Sequence, residues 1–151
     1  MAAPKTFLLV EDDPNDVWFV EQEFKLAPVN LQLRAVPDGE HAIRYLEGKG
    51  DYGDRQRYPV PDVILLDLKM PKVNGFEFLD WLHSKGGEHS LIPVVVMSSS
   101  ALESDVQRSY ALGANSYLVK PVNWPEFRAR IRALGIYWAE HVETPGPRRI
   151  A

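Results

Sequence analysis

Five short apolar runs constrain this chain more than anything else in it, and four of them stop at a charged or hydroxyl residue. Phe7-Leu8-Leu9-Val10 runs into Glu11-Asp12-Asp13, and Val63-Ile64-Leu65-Leu66 into Asp67. Val94-Val95-Val96-Met97 runs into Ser98-Ser99-Ser100, and Tyr117-Leu118-Val119 into Lys120-Pro121. The fifth run, Leu31 to Val36, alternates only weakly. Continuous Val- and Ile-rich runs of this length are too short for helices and fit strands buried on both faces.

Amphipathic stretches separate the runs. Pro14-Asn15-Asp16 open a helix carrying Val17, Val20 and Phe24, which closes before Pro28. A second follows Asp38-Gly39, with Ala42, Ile43 and Leu46 on one side and Gly48 as its stop. Gly75 precedes a third with Phe76, Leu79 and Leu82, and a fourth spans Glu103 to Leu112 before Gly113. The fifth starts at Trp124-Pro125 behind the N-cap Asn123 and carries Phe127, Ile131 and Leu134. Strict alternation of strand and helix predicts an α/β protein, a doubly wound parallel sheet with helices on both faces. One connection stands out: Gly48 to Pro61 is polar, carries five charges and is long for a loop inside a domain. It is either functional or simply solvated.

With 151 residues the chain fits one domain. A net charge of −4 disfavours sequence-independent nucleic-acid binding and attraction to anionic membranes. The absence of cysteine excludes disulfides, thiol catalysis and cysteine-ligated metals. No apolar stretch is long enough for a signal peptide or a membrane span, so the expected location is the cytoplasm.

In a doubly wound sheet, ligands bind at the carboxyl ends of the strands, where strand order reverses. For order 2-1-3-4-5 that crevice lies between the first and third strands, and Glu11, Asp12 and Asp67 face one another. Three such carboxylates repel unless a cation intervenes, and Mg²⁺ prefers oxygen ligands and phosphate company. Lys120 can pair with a carboxylate or a phosphoryl oxygen, and Ser98 can donate to the same oxygen. The set suits phosphoryl transfer to a carboxylate. Each member alone also reads as a helix cap, a turn residue or a loop; the argument rests on the combination.

The quoted segments resemble the receiver domains of two-component response regulators over nearly the whole chain. FLLVEDDPND is similar to that family's acidic start, and DVILLDLKMPKVNGFEFL to its phosphoacceptor segment. IPVVVMSSS is similar to its fourth strand and GANSYLVKPV to its fifth. The separations are family-like as well: 55 residues from Asp12 to Asp67, 31 to Ser98 and 22 to Lys120. The resemblance implies a flavodoxin-like (βα)5 fold over residues 1–138; a short tail, 139–151, is expected to follow with no output domain, its last segment ETPGPRRIA (143–151) disordered. It implies Asp67 as phosphoacceptor for a sensor histidine kinase, with Ser98 and Tyr117 as switch residues and Lys120 on the phosphoryl group. Mg²⁺ or Mn²⁺ would be held by Glu11, Asp12, Asp67 and the backbone carbonyl of Lys69. It further implies a cis peptide before Pro121, and leaves Asp13 without a role.

RQRYPVPD, LKMPKVNG and the late Tyr137-Trp138 are similar to the stand-alone subgroup linked to bacterial phytochrome kinases. Tyr110, Tyr117, Trp124, Phe127, Tyr137 and Trp138 are expected on the face of the fourth helix, fifth strand and fifth helix, where a homodimer would form. Lys69 and Ser100, two residues after Asp67 and Ser98, offer no side chain suited to positioning water, so self-dephosphorylation is expected to be slow and no other enzymatic activity is expected. Three other functions compete. An Mg²⁺-dependent aspartyl phosphatase would need a second Asp at position 69, where Lys69 stands. A flavodoxin-like FMN site would set three carboxylates against a phosphate. A receiver-like interaction module that works without phosphorylation would not need the intact acidic set.

Overall fold

The computed structural model describes residues 3–145. It contains five parallel strands: β1 (Lys5–Val10), β2 (Leu31–Val36), β3 (Val63–Leu66), β4 (Val94–Ser98) and β5 (Ser116–Val119). They alternate with five helices: α1 (Pro14–Leu26), α2 (Gly39–Glu47), α3 (Gly75–Lys85), α4 (Glu103–Ala111) and α5 (Trp124–Ile136). The strand order is β2-β1-β3-β4-β5, the order that the flavodoxin-like resemblance implied.

Local chemistry sets the helix starts. Asp13 is the N-cap of α1: its carboxylate accepts from the Asn15 N–H at 2.9 Å, with Pro14 at the first helical position. That gives a structural role to a residue that had none. Asp38 caps α2, Asn74 and Glu77 form a reciprocal capping box on α3, and Asn123 caps α5.

The period-2 alternation of the strands splits their side chains into two cores. Leu8, Val10, Ile64, Leu66, Val94 and Val96 point toward α2 and α3 and pack on Ala42, Tyr45, Leu46, Phe78, Leu79 and Leu82. Phe7, Leu9, Val63, Leu65, Val95 and Met97 point the other way and pack on Val20, Phe24, Phe127, Ile131 and Leu134 of α1 and α5. Of α4 only Ser109 is buried, so this helix is held lightly against β5 and α3.

The Gly48–Pro61 connection is an ordered cover over the end of α2. It starts with a 3₁₀ turn (Gly50–Gly53) and clusters the rings of Tyr45, Tyr52 and Tyr58 with centroids 5.2–5.9 Å apart. Arg55 donates to the carbonyls of Tyr45 and Leu46 at 2.8 and 2.7 Å, satisfying the exposed C-terminal end of α2.

Two expectations need correction. No peptide bond among the described residues is cis, so the Lys120–Pro121 bond is trans, the form favoured intrinsically even before proline. The segment after α5 also stays packed. Residues Tyr137–His141 continue as a π-helical turn, and Trp138 and Ala139 lie against the α1/α5 core. Thr144 is buried and accepts from Lys5 Nζ at 3.1 Å. Residues 146–151 of the expected tail lie outside the described residues.

One buried charge ties α1 to α5. Glu23 is almost fully buried, its carboxylate held by the guanidinium groups of Arg128 and Arg132. Burial would raise the Glu23 carboxyl, but the two arginine hydrogen bonds outweigh it and hold it below the ordinary glutamate value. Such a group contributes stability above its unfolded pKa, and the contribution is lost as pH falls through the depressed folded value. Removing both arginines strands a buried carboxylate. Urea unfolding of Arg128→Ala/Arg132→Ala at pH 7 is therefore expected to show a loss of about 1–3 kcal/mol, because both guanidinium groups are half-exposed and water can reach the carboxylate they leave. The deficit should shrink as the pH is lowered and the stranded carboxyl takes up a proton.

Candidate functional site

The site is assembled by register. Val10 pairs with Leu66 across β1 and β3, so the next residues, Glu11 and Asp67, leave the sheet side by side. The ladder continues one step further: Asp67 N–H donates to Val10 O, and Glu11 N–H donates to Val36 O, both at 3.0 Å. On the other side Ser98 pairs with Val119, and Lys120 N–H donates to Ser98 O at 2.8 Å. Four strands thus deliver Glu11, Asp67, Ser98 and Lys120 to one end of the sheet.

Carboxylate oxygens of Glu11, Asp12 and Asp67 lie within 4.8 Å of one another, Asp12 exposed and the other two buried. Lys120 Nζ reaches Glu11 at 2.8 Å and stands 3.8 Å from Asp67. It also reaches Asp16 at 2.7 Å. Asp16 was not among the residues singled out from the sequence. It sits in the first turn of α1, where an acidic residue reads as a favourable partner for the helix dipole. Nothing local tells that its side chain meets a lysine 104 positions away.

The electrostatics follow from burying several like charges around one cation. Burial pushes the Glu11 carboxyl up to about 7; Lys120 opposes that shift and Asp67 adds to it. Burial also holds Asp67 above the ordinary aspartate value, against the pull of Lys120 and the Leu68 N–H. For Lys120, burial would lower the pKa, but Glu11, Asp67 and Asp16 together hold it above the usual lysine value, so it stays charged. Two buried carboxylates that are reluctant to ionise, beside an exposed third, form a hard-oxygen donor set suited to a divalent cation.

Ser98 is fully buried, and its Oγ accepts from the Ser100 N–H at 3.1 Å. The Ser100 hydroxyl donates to Asp105 at the start of α4. Tyr117 is half-buried against the α2/α3 core and donates its hydroxyl to the Ser100 carbonyl at 2.8 Å. The Tyr117 hydroxyl is thus engaged by a carbonyl of the β4–α4 loop. The side chain of Lys69 is exposed. Of the six aromatic residues expected on the α4–β5–α5 face, Tyr110, Trp124 and Tyr137 are exposed. Phe127 and Trp138 instead pack into the core. Trp124 stacks on Phe19 of α1 with ring centroids 3.9 Å apart, which draws it onto that helix.

A cation entering this cluster must displace the proton that burial favours on Glu11. Affinity for Mg²⁺, measured by titration calorimetry, should rise about tenfold between pH 6 and pH 8 with proton release at the lower pH. Glu11→Gln should flatten that dependence.

A family model for the response regulator receiver domain matches residues 7–132. The response regulator Rcp1 of Synechocystis sp. is 35% identical over 142 residues, 94% of each chain. The crystal structure of its Mn(2+)-bound form superposes with a TM-score of 0.86 over 95% of this chain and 100% of that one. The phosphorylated cyanobacterial phytochrome response regulator RcpA is 33% identical and superposes with a TM-score of 0.86, again over 95% and 100%. The bacteriophytochrome response regulator RtBRR is 44% identical with a TM-score of 0.70, over 97% of this chain and 89% of that one. Strand order, strand-end chemistry and these matches agree, and the chain belongs to the response regulator receiver domain family of two-component signalling.

Proposed function

We propose that this receiver accepts a phosphoryl group on Asp67 from the phosphohistidine of a sensor histidine kinase, in the cytoplasm, and signals through protein–protein contact. The observation that carries the reading is the cluster of Glu11, Asp12 and Asp67 within 4.8 Å, with Lys120 3.8 Å from Asp67. In the transfer the P–N bond breaks, a P–O bond to the Asp67 carboxylate forms, and the imidazole keeps the electron pair. A Mg²⁺ or Mn²⁺ ion held by Glu11, Asp12, Asp67 and the Lys69 carbonyl would neutralise charge on the phosphoryl oxygens.

The chain's own groups do the rest. Leu68 N–H holds one Asp67 oxygen at 2.9 Å, which orients the carboxylate. The Lys120 ammonium is close enough to move onto a phosphoryl oxygen. Ser98 Oγ would donate to another oxygen, giving up the bond it accepts from Ser100 N–H. That loop also carries the carbonyl that holds Tyr117, so a shift at Ser98 passes to β5 and α4. The likeness to RcpA and RtBRR supports a phytochrome-type kinase as the donor. An open groove of about 610 Å³ beside β5, lined by Val95, Ser116, Leu118, Leu134, Tyr137 and Trp138, supports homodimerisation through the α4–β5–α5 face. The Ser100 hydroxyl is committed to Asp105, and Lys69 points no carboxylate or amide at the site; both favour slow self-dephosphorylation.

Incubation with acetyl phosphate and Mg²⁺ should give a single phosphoryl adduct by intact mass, absent in Asp67→Asn and absent with chelator. The adduct should persist for minutes rather than seconds after the donor is removed. Light scattering with and without a phosphoryl analogue tests the dimer, and a monomer mass in both conditions would exclude it.

A further inference from the structure

Lys120 is shared unequally among the carboxylates around it. Its ammonium is 2.7 Å from Asp16 and 2.8 Å from Glu11, both hydrogen-bond distances, and 3.8 Å from Asp67, which is not one. Its side chain is 14% exposed and that of Asp16 18%, so water competes weakly for the pair. Asp16 also stands outside the three-carboxylate cluster, on the first turn of α1. Glu11, Asp12 and Asp67 with Lys120 and a divalent cation sum to zero charge; Asp16 adds one more negative charge, on the side of the lysine.

We propose that Asp16 is a positioning residue that anchors Lys120 away from Asp67 and competes with the incoming phosphoryl group for its ammonium. The inference rests on Asp67 being the phosphoacceptor. A charge-assisted bond must be given up, or shared, when Lys120 turns to a phosphoryl oxygen. Asp16 therefore sets the rate of phosphorylation through Lys120 and touches no reacting atom itself. The anchoring has a fixed origin: the Asp13 cap and Pro14 define where α1 begins, and that places Asp16 opposite the end of β5.

The test is the rate of Asp67 phosphorylation by acetyl phosphate at saturating Mg²⁺, compared across a double-mutant cycle. Asp16→Asn keeps the size of the side chain and removes its charge; it should raise the rate about three- to tenfold. Asp16→Glu should bring the rate back toward that of the unmodified protein. In a Lys120→Gln background Asp16→Asn should change nothing, whereas a general charge effect on the anionic donor would persist there. An unchanged or slower rate in Asp16→Asn, or the same acceleration in both backgrounds, would overturn the proposal while leaving Asp67 as acceptor. Absence of any adduct on the unmodified protein would overturn both.

Discussion

The pairing of β1 with β3 at the register that sets Val10 opposite Leu66 governs the rest of the site. Both strands are buried on both faces, and a one-residue slip would turn every apolar side chain into the wrong core. The register is thus held by packing on two sides. Its consequence at the strand ends is chemical: Glu11 and Asp67 must emerge together, although repulsion between two buried carboxylates opposes it. The hydrophobic layers above and below fix the positions, and the local electrostatics must adapt.

They adapt through a single ammonium. Lys120 is brought in by β5, two strands away from β3, and meets Glu11, Asp16 and Asp67. Burial holds the carboxyls of Glu11 and Asp67 above their ordinary values, the single ammonium only partly opposes it, and Lys120 itself stays charged. A pocket left short of positive charge is prepared for a divalent cation. A pocket that already contains an ammonium suits the phosphoryl group proposed for it. Both properties come from one imbalance.

The β4–α4 loop links the site to the lightly held side of the molecule. Ser98, Ser100, Asp105 and Tyr117 form a connected set of hydrogen bonds that reaches from the buried end of β4 to the start of α4 and the middle of β5. The helix it touches buries only Ser109, and so it is the least constrained of the five. The firmly packed side of the molecule lies elsewhere, where Glu23 is clamped by Arg128 and Arg132 between α1 and α5. A rigid flank and a lightly held one around the same site are what a local charge event needs in order to be transmitted in one direction.

Much of this was legible in the residues alone. Apolar runs ending in Glu11-Asp12, Asp67, Ser98 and Lys120 determined the strands, their burial and the end of the sheet that carries chemistry, because side-chain period and strand-end polarity are local properties. The cap at Asn123 is equally local, whereas the caps at Asp38 and Asn74 came from the structure. The tertiary structure decided what depends on distant partners. Asp16 meets Lys120, the Gly48–Pro61 segment closes over α2 through Arg55 and three tyrosine rings, Phe127 turns inward, and Trp138 lies partly buried against the α1/α5 core. Tyr117 donates to the Ser100 carbonyl, and Thr144 docks on Lys5 across 139 positions. A sequence records which groups are available; which charge faces which, and how far a ring turns, is set by the packing of elements that the chain brings together only when folded.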